Sequence, residues 1–124
     1  MARILYADDS GVSRILTAAR LDRMNLDCVV VDDGIDAWAL LEDGEIFDLI
    51  ISDFEMPRMS GVDLLIKVRG DTRTAQIPFA LFTGHESSHK VGDITLEVVC
   101  QELNATLIHK PCSNFSDIVT KLLE

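Results

Sequence analysis

The sequence has few basic residues and no long apolar run. Lys and Arg number 11 against 21 Asp and Glu, which gives a formal net charge of −10. A surface of that sign repels nucleic-acid phosphates and anionic lipid headgroups. The longest apolar run, Ile77 to Phe82, is interrupted by Pro78 and is far shorter than the roughly 20 residues that a membrane span requires. We therefore expect a cytoplasmic protein that contacts neither nucleic acid nor membrane.

Cysteines are also scarce. Cys28, Cys100 and Cys112 form no C-x-x-C pair and are odd in number, which argues against a disulfide framework or a zinc cluster. A chain of 124 residues buries roughly two-thirds of the surface that it exposes when unfolded, so it needs no disulfide or structural metal to fold. We expect buried, reduced thiols and one domain over residues 1–124, with no output domain.

Five short aliphatic runs alternate with segments of helical periodicity. The runs are Arg3 to Ala7, Cys28 to Val31, Leu49 to Ser52, Pro78 to Phe82 and Thr106 to His109. Near-continuous apolar strands are typical of parallel sheets that are covered on both faces, with right-handed crossovers between the strands. The pattern predicts the α/β class, with a single doubly wound five-stranded parallel sheet and five helices.

Apolar residues at i, i+3, i+4 and i+7 predict three of the helices. The sets are Val12, Ile15, Leu16 and Ala19; Leu96, Val99, Cys100 and Leu103; and Phe115, Ile118, Val119 and Leu122. A fourth helix begins after Asp33, and Ser60 with Asp63 has the form of a capping box that opens a fifth. The segment from His85 to Thr95 is the least regular, and we predict a long loop there.

Residues able to do chemistry follow four of the five strands. Asp8 and Asp9 follow the first, Asp53 the third, Thr83 the fourth and Lys110 the fifth. Ligands of open α/β sheets bind outside the carboxyl ends of the strands, where the strand order reverses. If the order is 2-1-3-4-5, the first and third strands are adjacent at that point, and the three carboxylates converge.

Three carboxylates in one cleft repel each other unless a cation joins them. Mg²⁺ suits such a site, with Mn²⁺ as a substitute, since its remaining positions accept water or phosphate oxygens. We expect Asp9 to bind the metal directly, Asp8 to act through water or by orienting Asp9, and the Glu55 carbonyl to be the backbone ligand. Asp53 is then the candidate nucleophile and a metal ligand as well, with Lys110 and the Thr83 hydroxyl stabilising a phosphoryl group.

The other polar residues near strand ends receive structural roles. Asp32 and Asp33 end the second strand, at the sheet edge, and are expected to cap the helix that carries Trp38. His85 and His89 are expected in a solvated loop, because no third metal ligand accompanies them. His109 precedes Lys110 and should face the other side of the sheet, so it has no catalytic role.

The chain resembles a known family in four segments, taken in order: ILYADDSGVSRIL, LIISDFEMPRMSG, ALFTG and IHKP. They are similar to the receiver domain of two-component response regulators, CheY-like in length. The resemblance implies a flavodoxin-like sheet of order 2-1-3-4-5, with Asp53 as phosphoacceptor and Asp8 and Asp9 as the acidic metal-binding pair. It also makes Thr83 the switch hydroxyl and Lys110 the phosphate-contacting lysine, with a cis peptide bond between Lys110 and Pro111.

The chain departs from the family in two places. The family usually has Tyr or Phe three residues before the lysine, where this chain has Leu107. The stretch from Thr83 to Lys110 is longer than usual, and we place the excess in residues 85–95. Residues 85–95 should lie on the face on which regulators of this family change shape, so the partner surface should be atypical.

The implied function is a signalling module. A histidine kinase or a histidine phosphotransfer protein would phosphorylate Asp53 with Mg²⁺, and the phosphorylated state would switch binding to a downstream protein target that the sequence does not identify. No separate substrate turnover is expected, and phosphorylation-dependent dimerisation stays open. The alternatives are a small phosphatase with an aspartyl nucleophile, a phosphorelay intermediate or receiver fragment of a longer protein, and a flavodoxin-like electron carrier.

Overall fold

The computed structural model describes residues 1–84, 90–110 and 112–124. These ranges contain two groups of strands. Five long strands are β1 (Arg3–Ala7), β2 (Asp27–Val31), β3 (Leu49–Ser52), β4 (Phe79–Thr83) and β7 (Thr106–His109). Two short strands, β5 (Lys90–Val91) and β6 (Ile94–Thr95), form a separate pair.

Five helices connect the strands in the described ranges, as predicted. They are α1 (Gly11–Arg23), α2 (Gly34–Glu42), α3 (Gly61–Gly70), α4 (Leu96–Glu102) and α5 (Phe115–Leu122). The first four begin after a side-chain N-cap that accepts the backbone N–H three residues later; the caps are Ser10, Asp33, Ser60 and Thr95. Among the described residues, no helix has both the length and the apolar character that crossing a bilayer demands.

The long strands form one parallel sheet in the order β2-β1-β3-β4-β7. Counting only these five strands, the order is 2-1-3-4-5, so the predicted topology is confirmed. Two strands differ from the prediction by one residue at their ends. β2 begins at Asp27, and β4 runs from Phe79 to Thr83, because Pro78 has no N–H to donate to the ladder.

Successive residues of each central strand face opposite layers of the core. In β1, Leu5 and Ala7 pack with α2, α3 and α4, whereas Ile4 and Tyr6 pack with α1 and α5. All four side chains are fully buried. The central strands are covered on both faces, which leaves their carboxyl ends as the place where polar side chains can meet.

The predicted apolar face of α1 is wrong, although the helix itself forms. Val12, Ile15 and Leu16 are 70%, 72% and 61% exposed, and the buried residues are Thr17 and Leu21. Helical spacing marks a stripe of aliphatic residues but does not say which stripe faces the sheet. The sheet-facing positions are instead four residues apart, and the aliphatic stripe is left in solvent.

The predicted long loop before α4 is also wrong in its second half. Residues 90–95 form an antiparallel hairpin in which Lys90 pairs with Thr95 and Val91 with Ile94. Gly92 opens its two-residue turn with a φ of +67°, which favours glycine. Residues 85–89, with His85 and His89, lie outside the described residues, and so does Pro111 with the predicted cis bond.

Candidate functional site

Backbone hydrogen bonds continue past the carboxyl ends of three strands and fix the residues that follow them. Asp8 donates its N–H to Val31 O at 3.1 Å, and Asp53 donates to Ala7 O at 2.8 Å. Lys110 donates its N–H to the carbonyl of Thr83 at 2.8 Å. The side chains of Asp8, Asp53 and Lys110 therefore start from adjacent, rigid points on one edge of the sheet.

The three predicted carboxylates meet at this edge. One oxygen each from Asp8, Asp9 and Asp53 lies within 4.8 Å of the other two. Asp8 is fully buried, Asp53 is half-buried and Asp9 is exposed. Oxygen ligands of this kind suit a hard divalent cation such as Mg²⁺, so the residues present fit the metal that the sequence predicts.

Two of the carboxylates, Asp9 and Asp53, border a cleft of about 440 Å³ that also contains other predicted site residues, while Asp8 is buried behind them. Its lining is Asp9, Asp53, Glu55, Thr83, Gly84 and Lys110. Thr83 is buried at the end of β4, and Glu55 is exposed two residues beyond Asp53. Carboxylates, a hydroxyl and an ammonium group thus surround one space, which is the set of groups that phosphoryl transfer uses.

The ammonium group of Lys110 links two of the carboxylates. Its Nζ lies 2.8 Å from Asp8 Oδ2 and 3.7 Å from Asp53 Oδ1. It also donates to Ser13 Oγ at 3.2 Å and lies 5.2 Å from the centroid of the Phe82 ring. Lys110 is therefore held by α1, β4 and the carboxylates together, with its charge inside the cleft.

The environment of Asp53 disfavours its negative charge. Burial raises the pKa of Asp53 from 3.8 to about 6, against the opposing attraction of Lys110, and the charge of Asp8 adds to the rise. The N–H of Phe54 donates to Asp53 Oδ1 at 2.9 Å and partly offsets these effects. Asp53 is still largely ionised at neutral pH, and a nearby cation would favour the ionised form.

Three further residues hold Asp8, and the sequence reasoning missed their roles. The Tyr6 hydroxyl donates to Asp8 Oδ2 at 2.5 Å, and burial together with this hydrogen bond raises the pKa of Tyr6. The Ser10 N–H donates to Asp8 Oδ1 at 2.9 Å, and Arg14 donates to the Asp8 carbonyl, also at 2.9 Å. The period of two in a strand could have indicated Tyr6, because it stands two residues before Asp8.

The structural roles expected for the other polar residues are consistent with their positions except at Asp32. Asp33 caps α2 by accepting the Asp36 N–H at 3.0 Å. Asp32 does not share that cap, contrary to the prediction; it is instead exposed, and its Oδ1 lies 3.3 Å from Arg14 Nη1 in an ion pair. His109 is exposed, and Leu107 is half-buried against the α4 layer of the core. None of these residues lines the cleft.

Comparison with known sequences identifies the family. Residues 4–122 match the response regulator receiver domain. The chain is 34% identical over 82 residues to the chemotaxis protein CheY1 of Helicobacter pylori, a match that covers 65% of this chain and 66% of that protein. It is 33% identical over 90 residues to the chemotaxis protein CheY of Pseudomonas aeruginosa, covering 72% of each. The match to the Helicobacter protein spans slightly less than two-thirds of that protein's length.

Comparison with solved structures shows the same fold in response regulators. CheY4 of Vibrio cholerae superimposes with a TM-score of 0.83 at 24% identity, covering 99% of both chains. The response regulator TrrA of Thermotoga maritima, in complex with Mg²⁺ and BeF, superimposes with a TM-score of 0.81 at 26% identity, covering 99% of this chain and 100% of that one. The shared fold and the match over residues 4–122 lead to one conclusion: this chain belongs to the response regulator receiver domain family of two-component signalling, and it is CheY-like.

Proposed function

We propose that Asp53 is the phosphoacceptor of this receiver domain and that phosphorylation is its input signal. The observation that carries the proposal is the convergence of Asp8, Asp9 and Asp53 with Lys110 and Thr83 at one cleft. The cleft offers a carboxylate nucleophile, a site for a cation, and donors for the oxygens of a phosphoryl group.

Mg²⁺ is the proposed cofactor, with Mn²⁺ as a substitute. Asp9 and Asp53 would hold it directly with the carbonyl of Glu55, and Asp8 would act through water or by orienting Asp9. Support comes from the spacing of the three carboxylates and from a structural neighbour in complex with Mg²⁺ and BeF. When bound, the cation would neutralise the charge that builds up on the oxygens of the transferring group.

In the proposed step, a carboxylate oxygen of Asp53 attacks the phosphorus of a phosphohistidine. The new P–O bond forms as the P–N bond breaks, and the imidazole leaves and takes up a proton from solvent. Lys110 and the Thr83 hydroxyl would bind the equatorial oxygens, and the resulting acyl phosphate would carry two negative charges that draw both groups towards Asp53.

We infer that the phosphodonor is a histidine kinase or a histidine phosphotransfer protein and that it contacts α1. This helix flanks the cleft, because Ser13 bonds to Lys110 and Arg14 to the Asp8 carbonyl. Its exposed face carries Val12, Ile15 and Leu16, each more than 60% exposed. Large aliphatic side chains grouped in solvent favour protein contact, and this group lies on the helix that contacts two residues of the site, Asp8 and Lys110.

Output would follow from the movement of Thr83 towards the phosphoryl group. Thr83 is fully buried at the end of β4, and its carbonyl accepts from the backbone of Lys110. A shift of Thr83 would therefore be transmitted to β7 and the segment before α5, which together with α4 would form the surface for a downstream protein or a second copy of this chain.

The test is chemical labelling with acetyl phosphate and Mg²⁺, followed by intact-mass measurement. We expect one phosphoryl group per chain, no gain in Asp53→Asn, and normal gain in Asp32→Asn, a control at an exposed carboxylate that also follows a strand. Undiminished labelling of Asp53→Asn would refute the assignment of the nucleophile. Turnover of p-nitrophenyl phosphate would instead favour the phosphatase alternative.

A further inference from the structure

Arg58 has an unusual backbone conformation close to the proposed metal site. Its φ is +67°, and the N–H of Met59 donates to the carbonyl of Pro57 across it at 2.7 Å. A hydrogen bond from residue i+2 to residue i with a positive φ between them is a strained γ-turn. A residue with a Cβ atom keeps such a conformation only when the surrounding structure holds it there.

The group that holds Arg58 is the N-cap of α2. Asp33 Oδ2 accepts from Arg58 Nε at 2.8 Å and lies 2.7 Å from Nη2, while Asp36 Oδ1 lies 3.2 Å from the same nitrogen. The Asp33 side chain is 4% exposed. A buried carboxylate strongly favours a cationic partner; the Arg58 side chain itself is 54% exposed, so the pair is buried on the carboxylate side only.

A second contact fastens the same turn. A Cβ atom on Gly34 would lie 2.9 Å from both the Cγ and the carbonyl oxygen of Met59. The N-terminus of α2 and the turn therefore also touch closely next to the Asp33–Arg58 pair, at Gly34 and Met59. This contact requires the absence of a side chain at residue 34.

The turn belongs to a short loop whose other end lies at the cleft. The loop runs over residues 54–60 and closes where Gly61 donates its N–H to Phe54 O at 2.8 Å. Glu55 lines the cleft beside Asp53, three residues before Arg58. Pro57 has a fixed φ, which limits how far the turn can move without moving Glu55.

We propose that the Asp33–Arg58 pair is a positioning device for the metal site, which holds the strained turn and through it the backbone of Glu55. The inference rests on the proposed function, because it takes the Glu55 carbonyl as a Mg²⁺ ligand. Neither Asp33 nor Arg58 lines the cleft; they act through the loop. Arg58 thereby connects the start of α2 to the proposed cation site at the end of β3.

The experiment measures the Mg²⁺ dissociation constant by isothermal titration calorimetry, together with the thermal midpoint of unfolding, for four variants. Arg58→Gly removes the pair but accepts the positive φ, and Arg58→Ala removes the pair and keeps the strain. Asp33→Asn keeps an N-cap and loses the charge, and the double variant Asp33→Asn/Arg58→Gly tests coupling. Arg73→Ala is the matched control, since Arg73 is equally exposed, pairs with Asp71 and donates to the Glu42 carbonyl, and none of these residues lines the cleft.

We expect Arg58→Ala and Asp33→Asn each to weaken Mg²⁺ binding about tenfold, a loss typical of changes to the groups that orient metal ligands. Arg58→Gly should weaken it less, because glycine adopts the positive φ without a restraint. The double variant should be no weaker than either single variant, and Arg73→Ala should match the wild type. Wild-type affinity in a folded Arg58→Ala variant would overturn the inference and leave the pair a purely structural contact. Absence of Mg²⁺ binding by the wild type itself would instead overturn the metal site of the proposed function.

Discussion

Replacing Asp53 by Asn should stabilise the protein at neutral pH when no divalent cation is present. The carboxylate of Asp53 is half-buried beside Asp8 and Asp9, and Asn is a neutral side chain of nearly the same shape. Its Oδ1 can still accept the N–H of Phe54, which lies 2.9 Å from Asp53 Oδ1. Asp8 remains as the closer partner of Lys110, at 2.8 Å. The substitution therefore removes an unfavourable charge and little else.

The magnitude follows from the pKa of Asp53, which burial raises from 3.8 to about 6. The native pKa lies above the unfolded one, so the stability that this group contributes is present below pH 3.8 and is lost as the pH rises through about 6. Between pH 4 and pH 7.5 the loss amounts to about 2 kcal/mol. In a chain of this length it corresponds to about 8 °C in the thermal midpoint.

The assay is urea unfolding of wild type and Asp53→Asn at several pH values in EDTA, with exposed Asp22→Asn on α1 as the control. Asp53→Asn should gain about 2 kcal/mol over the wild type between pH 4 and pH 7.5, and Asp22→Asn should show no such trend. Saturating Mg²⁺ should stabilise the wild type, by about 2.7 kcal/mol at a hundred times its dissociation constant, and should leave Asp53→Asn nearly unchanged. A stability difference that is independent of pH would refute the reasoning.

Two other substitutions separate stability from signalling. Arg69 donates to the carbonyls of Ala75, Ile77, Leu103 and Asn104. Arg69→Met should therefore lower the free energy of unfolding in urea by about 2–4 kcal/mol, while acetyl phosphate labelling persists. A loss below about 1 kcal/mol would contradict this role. Ile15→Asp on α1 should slow phosphotransfer from a phosphorylated histidine phosphotransfer protein about tenfold or more and leave acetyl phosphate labelling unchanged. Ile66→Asp, at an exposed position on α3, is its control, and equal slowing in both variants would argue against contact through α1.

The strands could be predicted from local sequence, and the convergence of the site residues from one rule of sheet geometry together with the strand order that the resemblance to the receiver-domain family implied. Runs such as Leu49 to Ser52 identify buried parallel strands, and the carboxyl ends of adjacent parallel strands share an edge. Asp8, Asp53 and Lys110 follow three such ends, so knowing the strand order sufficed to place them together. The prediction did not depend on side-chain contacts.

Features that depend on contact between distant segments could not be read from the sequence. The pair Asp33–Arg58 joins residues 25 positions apart; the local sequence marks Asp33 as a helix cap but does not pair it with Arg58. The orientation of α1 is similar, since Ser13 faces Lys110 across 97 positions, and that contact sets which side of the helix faces solvent. The hairpin at residues 90–95 was missed because two-residue strands are too short to show an alternating pattern.

The charges in the cleft explain why the metal must precede the phosphodonor. Three carboxylates face one ammonium group, so the cleft carries a formal charge of about −2 when all of them are ionised, within a chain of net charge −10. A dianionic donor is repelled by that field, and Lys110 is already engaged by Asp8 at 2.8 Å. A divalent cation brings the cleft close to neutrality and weakens the hold of Asp8 on Lys110, which frees the ammonium group for the incoming oxygens. We therefore expect labelling by acetyl phosphate to stop in EDTA and to return on addition of Mg²⁺ or Mn²⁺, and labelling that persists in EDTA would contradict this order of events.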